Sequence, residues 1–263
     1  SAVIAEGCRE AGGTHEQAST LNAQWRLHKV PTTKNSIHIQ HWRLCDAECG
    51  YVLNPLTKST FQRFLGKIPV VSGKEPFVVL ETGSWEGGSA SWIAERLLKH
   101  PASVLVCLDT WDVVHRADYA GFNVADVEER FHSNIAKAPN GGRVVAFKGH
   151  PLKSLAGLVA KGMASSFDAV YIDASHEMKD VLGEALLSFR LLKVGGVMIF
   201  DDNWMRGVVR ATAALEEAFG DLLQVLHRDE NHLVVTKVAE DRFATHGSDL
   251  VLGEPSRLED LAS

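Results

Sequence analysis

The sequence predicts a doubly wound α/β fold with a mixed, seven-stranded sheet and an antiparallel last strand. From residue 77 onward, short apolar runs rich in β-branched residues alternate with segments of helical length, which is typical of βαβ units in a mostly parallel sheet. The last two apolar runs are separated only by the polar stretch 227–232. That linker is too short for the crossover helix that parallel neighbours require, so these two strands should form a hairpin.

Each predicted element follows from its local pattern. The strands are expected at residues 77–81, 104–109, 143–147, 169–173, 197–201, 222–226 and 233–237. Residues 88–100, 181–192 and 207–219 carry apolar side chains at helical spacing and should pack on the sheet. Gly195 and Gly196 are expected to end the second of these helices.

The two ends of the chain differ from the sheet region. Residues 1–70 are less regular and contain one amphipathic helix, in which Leu56, Phe61, Phe64, Leu65 and Ile68 recur at helical spacing. We expect residues 1–70 to form an N-terminal helical cap, residues 71–240 to form the α/β domain, and residues 241–263 to form a peripheral tail.

Composition excludes several classes of function. The chain has 263 residues, 27 Lys and Arg against 33 Asp and Glu, and no dense basic run, so we expect no nucleic-acid partner. Its apolar stretches fall far short of the roughly 20 residues that a membrane span needs. Four cysteines are too few for a disulfide scaffold, which favours a reducing, cytoplasmic compartment. For the oligomeric state, our hypothesis is a homodimer.

A glycine-rich turn follows the first strand. Glu81 closes the strand, and Gly83, Ser84 and Gly87 lie in the turn before the next helix. Ligands of open α/β sheets bind outside the carboxyl ends of the strands, and glycines let the backbone approach a ligand closely. The spacing departs from the dinucleotide fingerprint Gly-x-Gly-x-x-Gly. We therefore interpret this turn as a cofactor loop.

Asp109 ends the second strand. A carboxylate at this place can accept hydrogen bonds from both hydroxyls of a ribose, and a helix cap is the alternative reading. A nicotinamide dinucleotide and a methyl donor that carries a nucleoside both satisfy this pattern.

Oxygen-bearing side chains follow the next two central strands. Asp173 ends one of them, and Asp202 and Asn203 follow the other. These oxygens suit Mg²⁺, which prefers carboxylates and retains several waters. Strand alternation directs Asp201 and Asp202 to opposite sides, so we expect only one of the two to reach the metal.

In this order the motifs resemble those of class I S-adenosylmethionine-dependent methyltransferases. The motifs are Glu81-x-Gly83, Asp109, the run from Asp168 to His176, and Gly195-Gly196 followed by Asp201-Asp202. They are most similar to the divalent-metal-dependent small-molecule O-methyltransferases, the catechol type and its antibiotic-tailoring relatives. The resemblance covers about residues 77–237 and implies the Rossmann-like methyltransferase fold.

The resemblance also implies roles for individual residues. It assigns S-adenosylmethionine to Glu81, Gly83, Ser84, Gly87, Asp109, His150 and Asp173, and the metal to Asp173, Asp202 and Asn203. His176 stands where the catechol type has a lysine base, and an imidazole can also accept a hydroxyl proton. His150 stands where an acidic residue usually contacts the adenine amine; an imidazole can hydrogen-bond or stack there, and a solvated loop residue is the alternative reading.

The sequence therefore predicts methyl transfer from S-adenosylmethionine to a hydroxyl of a small-molecule acceptor. Mg²⁺, held in part by Asp173, would bind the acceptor oxygen and lower its pKa, and His176 would remove the proton, so that Asp173 and His176 are the expected catalytic residues. Residues 1–70 and the segment 111–131, with Tyr119 and Phe122, should close over the acceptor. The alternatives are a nicotinamide-dependent oxidoreductase and a non-catalytic S-adenosylmethionine-fold binding protein.

Overall fold

The computed structural model describes residues 53–66, 73–112 and 126–241. Most of the predicted cap lies outside these residues, as do Tyr119 and Phe122 of the segment predicted to close over the acceptor. The predicted tail also lies outside them, apart from Asp241.

Seven strands form one sheet within the described residues. They are β1 (Val78–Thr82), β2 (Val104–Asp109), β3 (Val144–Lys148), β4 (Phe167–Ile172), β5 (Leu192–Phe200), β6 (Leu223–Arg228) and β7 (Leu233–Lys237). Their order is β3-β2-β1-β4-β5-β7-β6. Strands β1 to β5 pair in parallel, whereas β7 is antiparallel to both β5 and β6. The predicted mixed sheet with an antiparallel last strand is confirmed.

Six α-helices connect and cover these strands in the part of the chain that the structure describes. They are α1 (Pro55–Phe64), α2 (Gly88–Arg96), α3 (Val127–Lys137), α4 (Pro151–Ala160), α5 (Met178–Leu191) and α6 (Arg206–Phe219). The expectation that Gly195 and Gly196 end a helix is wrong. Helix α5 already ends at Leu191, and both glycines lie inside β5, near a shift in its register with β4.

The main apolar core lies on one face of the sheet. Side chains that alternate along the strands, such as Val78 and Leu80 of β1, pack there with residues of α4, α5 and α6. All five residues of β1 are buried, as expected for a central strand covered on both faces. The core therefore holds the strand ends in fixed positions.

Helix α1 packs on the sheet through Phe61, which is fully buried. The Phe61 ring meets Tyr171 of β4 edge-on at 4.9 Å and lies 5.4 Å from Trp92 of α2. The compact unit that contains the sheet begins at Pro55, so α1 belongs to that unit. Within the described residues, no helix has the length and apolar character required to cross a membrane.

Candidate active site

The predicted site residues lie at the carboxyl edge of the sheet. Backbone hydrogen bonds continue past the strand ends there, from Gly83 N to Leu108 O at 2.9 Å, from Gly149 N to Asp109 O at 2.8 Å, and from Asp201 N to Ile172 O at 3.1 Å. These bonds fix the segments that follow β1, β3 and β5 against the neighbouring strands. The glycine turn, Asp109, Asp173 and Asp202 therefore share one edge, as the sequence predicts.

Gly83 brings the glycine turn against the segment that follows β4. Its φ is +81°, and a Cβ atom at this position would lie 2.1 Å from the carbonyl oxygen of Asp173. A side chain is excluded both by the backbone conformation and by this contact. The turn after β1 and the Asp173 backbone are thus in direct contact.

Glu81 is fully buried beneath the turn. Its carboxylate accepts hydrogen bonds from the hydroxyls of Ser84, at 2.6 Å, and Ser89, and from the Cys107 thiol at 3.3 Å. Burial raises the pKa of Glu81, although these hydrogen bonds oppose the rise. Glu81 and Ser84 bond to each other and shape the turn; their contact with a cofactor stays a prediction.

Asp109 is held by two backbone N–H groups. Its Oδ2 accepts from Trp85 N and its Oδ1 from Trp111 N, both at 2.8 Å, and the Trp111 indole N–H donates to Trp85 O at 2.9 Å. Both tryptophans have a φ of 47°, which is uncommon for residues other than glycine. The carboxylate is therefore fixed in orientation.

His150 follows β3 and immediately precedes α4. Its side chain is exposed. The bond from Gly149 N to Asp109 O places this segment beside the end of β2. The predicted contact of His150 with adenine is compatible with this position and stays a prediction.

Asp173, His176 and Asp202 form a half-buried cluster. One ligand atom from each residue lies within 4.8 Å of the other two, so the three side chains can bind a single metal ion. His176 Nε2 lies 3.0 Å from Asp202 Oδ2, and the other oxygen of Asp202 accepts the Trp204 indole N–H at 3.0 Å. The structure thus adds His176 to the group of potential metal ligands.

Electrostatics also favour a cation at this cluster. Burial raises the pKa of Asp173 well above its usual value, and repulsion from Asp201 and Asp202 adds to the rise. Burial alone would raise the pKa of Asp201 as well, but its hydrogen bonds with His232 and Tyr171 outweigh that effect and lower it. A positive ion would offset the repulsion between these carboxylates.

Asn203, the third predicted metal ligand, is buried. Its side-chain N–H donates to Asp229 O at 2.6 Å, and its backbone N–H donates to Asn231 O at 3.0 Å. The turn between β6 and β7 therefore fixes the amide. Among the described residues, the Asn203 Oδ1 atom has no hydrogen-bond partner. A buried acceptor without a donor is costly, and a cation would satisfy it.

Sequence reasoning missed Tyr171 and His232. The Tyr171 hydroxyl lies 2.6 Å from Asp201 Oδ2 and 3.1 Å from Asp173 Oδ2, and His232 Nε2 lies 3.2 Å from Asp201 Oδ1. The signal for Tyr171 was available, since residues two apart on a strand share a face and Tyr171 precedes Asp173 by two. The cluster contains Asp202, whereas Asp201 contacts Tyr171 and His232.

Comparisons with known proteins agree with this geometry. A family model described as a methyltransferase domain matches residues 80–203, a segment that contains every predicted site residue. No curated protein sequence matches the chain significantly.

Two solved structures illustrate the fold. A candidate O-methyltransferase from Klebsiella pneumoniae is 16% identical over 84% of this chain and 97% of its own, with a TM-score of 0.53. CalS11, the TDP-rhamnose 3'-O-methyltransferase of calicheamicin biosynthesis, is 14% identical over 85% of this chain and 95% of its own, with a TM-score of 0.51. At these identities the likeness shows the fold alone. Together with the family match, it shows that residues 80–203 form a methyltransferase domain with the α/β fold of these two structures.

Proposed function

We propose that the protein transfers the methyl group of S-adenosylmethionine to a hydroxyl of a small molecule, assisted by Mg²⁺. The observation that carries the proposal is the cluster of Asp173, His176 and Asp202, whose ligand atoms lie within 4.8 Å of one another. This cluster adjoins the glycine turn, because Gly83 packs directly on the Asp173 backbone. A methyl donor at the turn and an acceptor at the cluster would therefore be neighbours.

The donor atoms of the cluster fit Mg²⁺. Asp173 and Asp202 supply carboxylates. Asn203, next to Asp202 in the sequence, has a buried amide oxygen that lacks a hydrogen-bond partner among the described residues, and we propose it as a further ligand. Such hard oxygen ligands are the ones Mg²⁺ prefers. When bound, the ion would act as a Lewis acid that lowers the pKa of the acceptor hydroxyl.

His176 is proposed to take the acceptor proton. Its Nε2 atom lies 3.0 Å from Asp202 Oδ2, which orients the ring and stabilises the imidazolium that forms. The backbone of α6 also packs closely against the backbone of His176, because a Cβ atom at Gly207 would lie 1.9 Å from the His176 carbonyl oxygen. His176 can serve as base or as ligand. A His176→Asn variant that binds Mn²⁺ normally but loses turnover assigns the base role.

The methyl donor is proposed to lie along the glycine turn, with its ribose at Asp109 and its adenine near His150. Asp109 supports this placement because two backbone N–H groups already fix its carboxylate. The main catalytic contribution is then the placement of the two substrates, since methyl transfer requires the methyl carbon of the donor and the acceptor oxygen to be close and in line.

A radiolabelled methyl donor tests the proposal against a panel of phenols, sugars and polyketides that carry hydroxyls. We expect transfer of label in Mg²⁺, loss of transfer in excess EDTA, and no turnover by Asp202→Ala. Asp221→Ala, which alters an exposed aspartate before β6, is the matched control and should retain activity. Equal transfer with and without EDTA would remove the cation from the reaction. Tight donor binding without any transfer across the panel would favour the non-catalytic binding protein.

A further inference from the structure

A network of buried and half-buried polar side chains adjoins the candidate metal cluster and centres on Asp201. Oδ2 of Asp201 accepts the Tyr171 hydroxyl at 2.6 Å. Its Oδ1 atom lies 3.2 Å from His232 Nε2 and accepts the Asp202 backbone N–H at 2.9 Å. Asp201 therefore contacts three neighbours with two oxygens while remaining outside the cluster itself.

These contacts reach both aspartates of the cluster. The Tyr171 hydroxyl lies 3.1 Å from Asp173 Oδ2, so it bridges the carboxylates of Asp173 and Asp201. Asp202 has a φ of 53°, an uncommon conformation that the bond from its N–H to Asp201 stabilises. Asp201 thus influences the side chain of Asp173 through Tyr171 and the backbone of Asp202 directly.

Packing alone does not account for these polar groups. Tyr171 is 2% exposed and His232 is 1% exposed. The Tyr171 ring already packs edge-on against Phe61, so a phenylalanine would fill the same space without a hydroxyl to desolvate. A fully satisfied buried network instead fixes the geometry of its members.

At the His232 end, this network contacts helix α1. His232 Nδ1 lies 3.1 Å from Thr60 Oγ1, and His232 Nε2 lies 3.3 Å from Thr57 Oγ1. The imidazole is therefore held between α1 and Asp201.

We infer that Asp201, Tyr171 and His232 are positioning residues that set the carboxylates of Asp173 and Asp202 for cation binding. The inference rests on the proposed function, because it requires a divalent cation at the cluster. Hydrogen-bond partners of metal ligands typically change metal affinity about 10- to 100-fold when they are removed.

Calorimetric titration with Mn²⁺ alone tests the inference on the full chain. The variants are Tyr171→Phe and Asp201→Asn, and the matched control is Thr82→Val. The Thr82 hydroxyl donates to buried Glu184 at 2.7 Å, so the control also removes a hydroxyl donor from a buried carboxylate, one that is not a member of the cluster. Thermal unfolding and S-adenosylmethionine affinity are measured for each protein.

We expect Tyr171→Phe to weaken Mn²⁺ binding about 10- to 100-fold, with S-adenosylmethionine affinity unchanged and a melting temperature close to that of Thr82→Val. If Asp201→Asn does not fold, Tyr171→Phe alone decides the result. A Tyr171→Phe protein that binds Mn²⁺ as tightly as the wild type overturns the inference. A wild-type protein that binds no Mn²⁺ overturns the cation site itself, which separates failure of the inference from failure of the proposed function.

Discussion

The backbone N–H of Trp85 donates to Oδ2 of Asp109 at 2.8 Å and so ties the glycine turn to the end of β2. The carboxylate that is predicted to bind the ribose also holds the turn that is predicted to bind S-adenosylmethionine. Loss of Asp109 should therefore weaken cofactor binding in two ways: the ribose loses a hydrogen-bond acceptor, and the glycine turn loses a hydrogen bond that holds it in place.

We expect Asp109→Ala to weaken S-adenosylmethionine binding by about 1 to 3 kcal/mol, because the ribose hydroxyls lose a charged acceptor. Asp112→Ala, which alters an exposed aspartate three residues later, should bind normally. Calorimetry measures both. An unchanged affinity in a folded Asp109→Ala protein would remove Asp109 from the cofactor site.

Gly83→Ala should destabilise the protein by about 3 kcal/mol or more and abolish cofactor binding, since its Cβ would lie 2.1 Å from the Asp173 carbonyl oxygen. Gly162→Ala is the matched control, because Gly162 also has a positive φ, of +75°, but no atom lies within 4 Å of its Cβ position. The control should lose only about 1 kcal/mol. Denaturant unfolding that shows equal losses would contradict the close approach of the turn to Asp173.

Glu81 should make stability depend on pH. Its pKa is raised by burial in the folded protein, so the folded state holds a proton that the unfolded state releases above its ordinary pKa of about 4.5. The contribution of Glu81 is full below that pH and is lost as the pH rises through the folded pKa. Relative to Glu81→Gln, the wild type should therefore lose stability as the pH rises. Melting curves that run parallel over this range would contradict the raised pKa.

Deletion of residues 1–50 should reduce acceptor affinity and turnover far more than S-adenosylmethionine binding, if the cap closes over the acceptor as proposed. Lids of this kind exclude water and complete the acceptor site. Steady-state kinetics on the acceptor and calorimetry with S-adenosylmethionine separate the two effects. A folded, truncated protein with full activity would assign the cap to another role.

Hydrophobic periodicity predicted much of the sheet. The predicted bounds of β2 and β7 coincide with the observed strands, and the hairpin linker predicted the antiparallel β7. The prediction that Gly195 and Gly196 end a helix was wrong, because both glycines lie in β5, near a shift in the register of its pairing with β4. Tertiary pairing overrides local turn preference at such a place.

The candidate site was predictable where it depends on parallel strands, whose carboxyl ends meet at one edge. The contact between Asp201 and His232 was not predictable from the sequence, because it depends on the register of β5 with antiparallel β7. Phe200 pairs with Leu233 there, which places the residue after β5 beside the residue before β7. No local pattern in the sequence reports that register.

Calorimetric titration with S-adenosylmethionine, with and without Mg²⁺, tests most directly the central claim that one edge of the sheet holds both a methyl donor and a cation. The wild type should bind S-adenosylmethionine and Mg²⁺, and it should not bind NAD. Asp202→Ala should lose Mg²⁺ binding while its S-adenosylmethionine affinity stays nearly unchanged. A protein that binds NAD in place of S-adenosylmethionine, or an Asp202→Ala protein that binds Mg²⁺ like the wild type, would contradict the account.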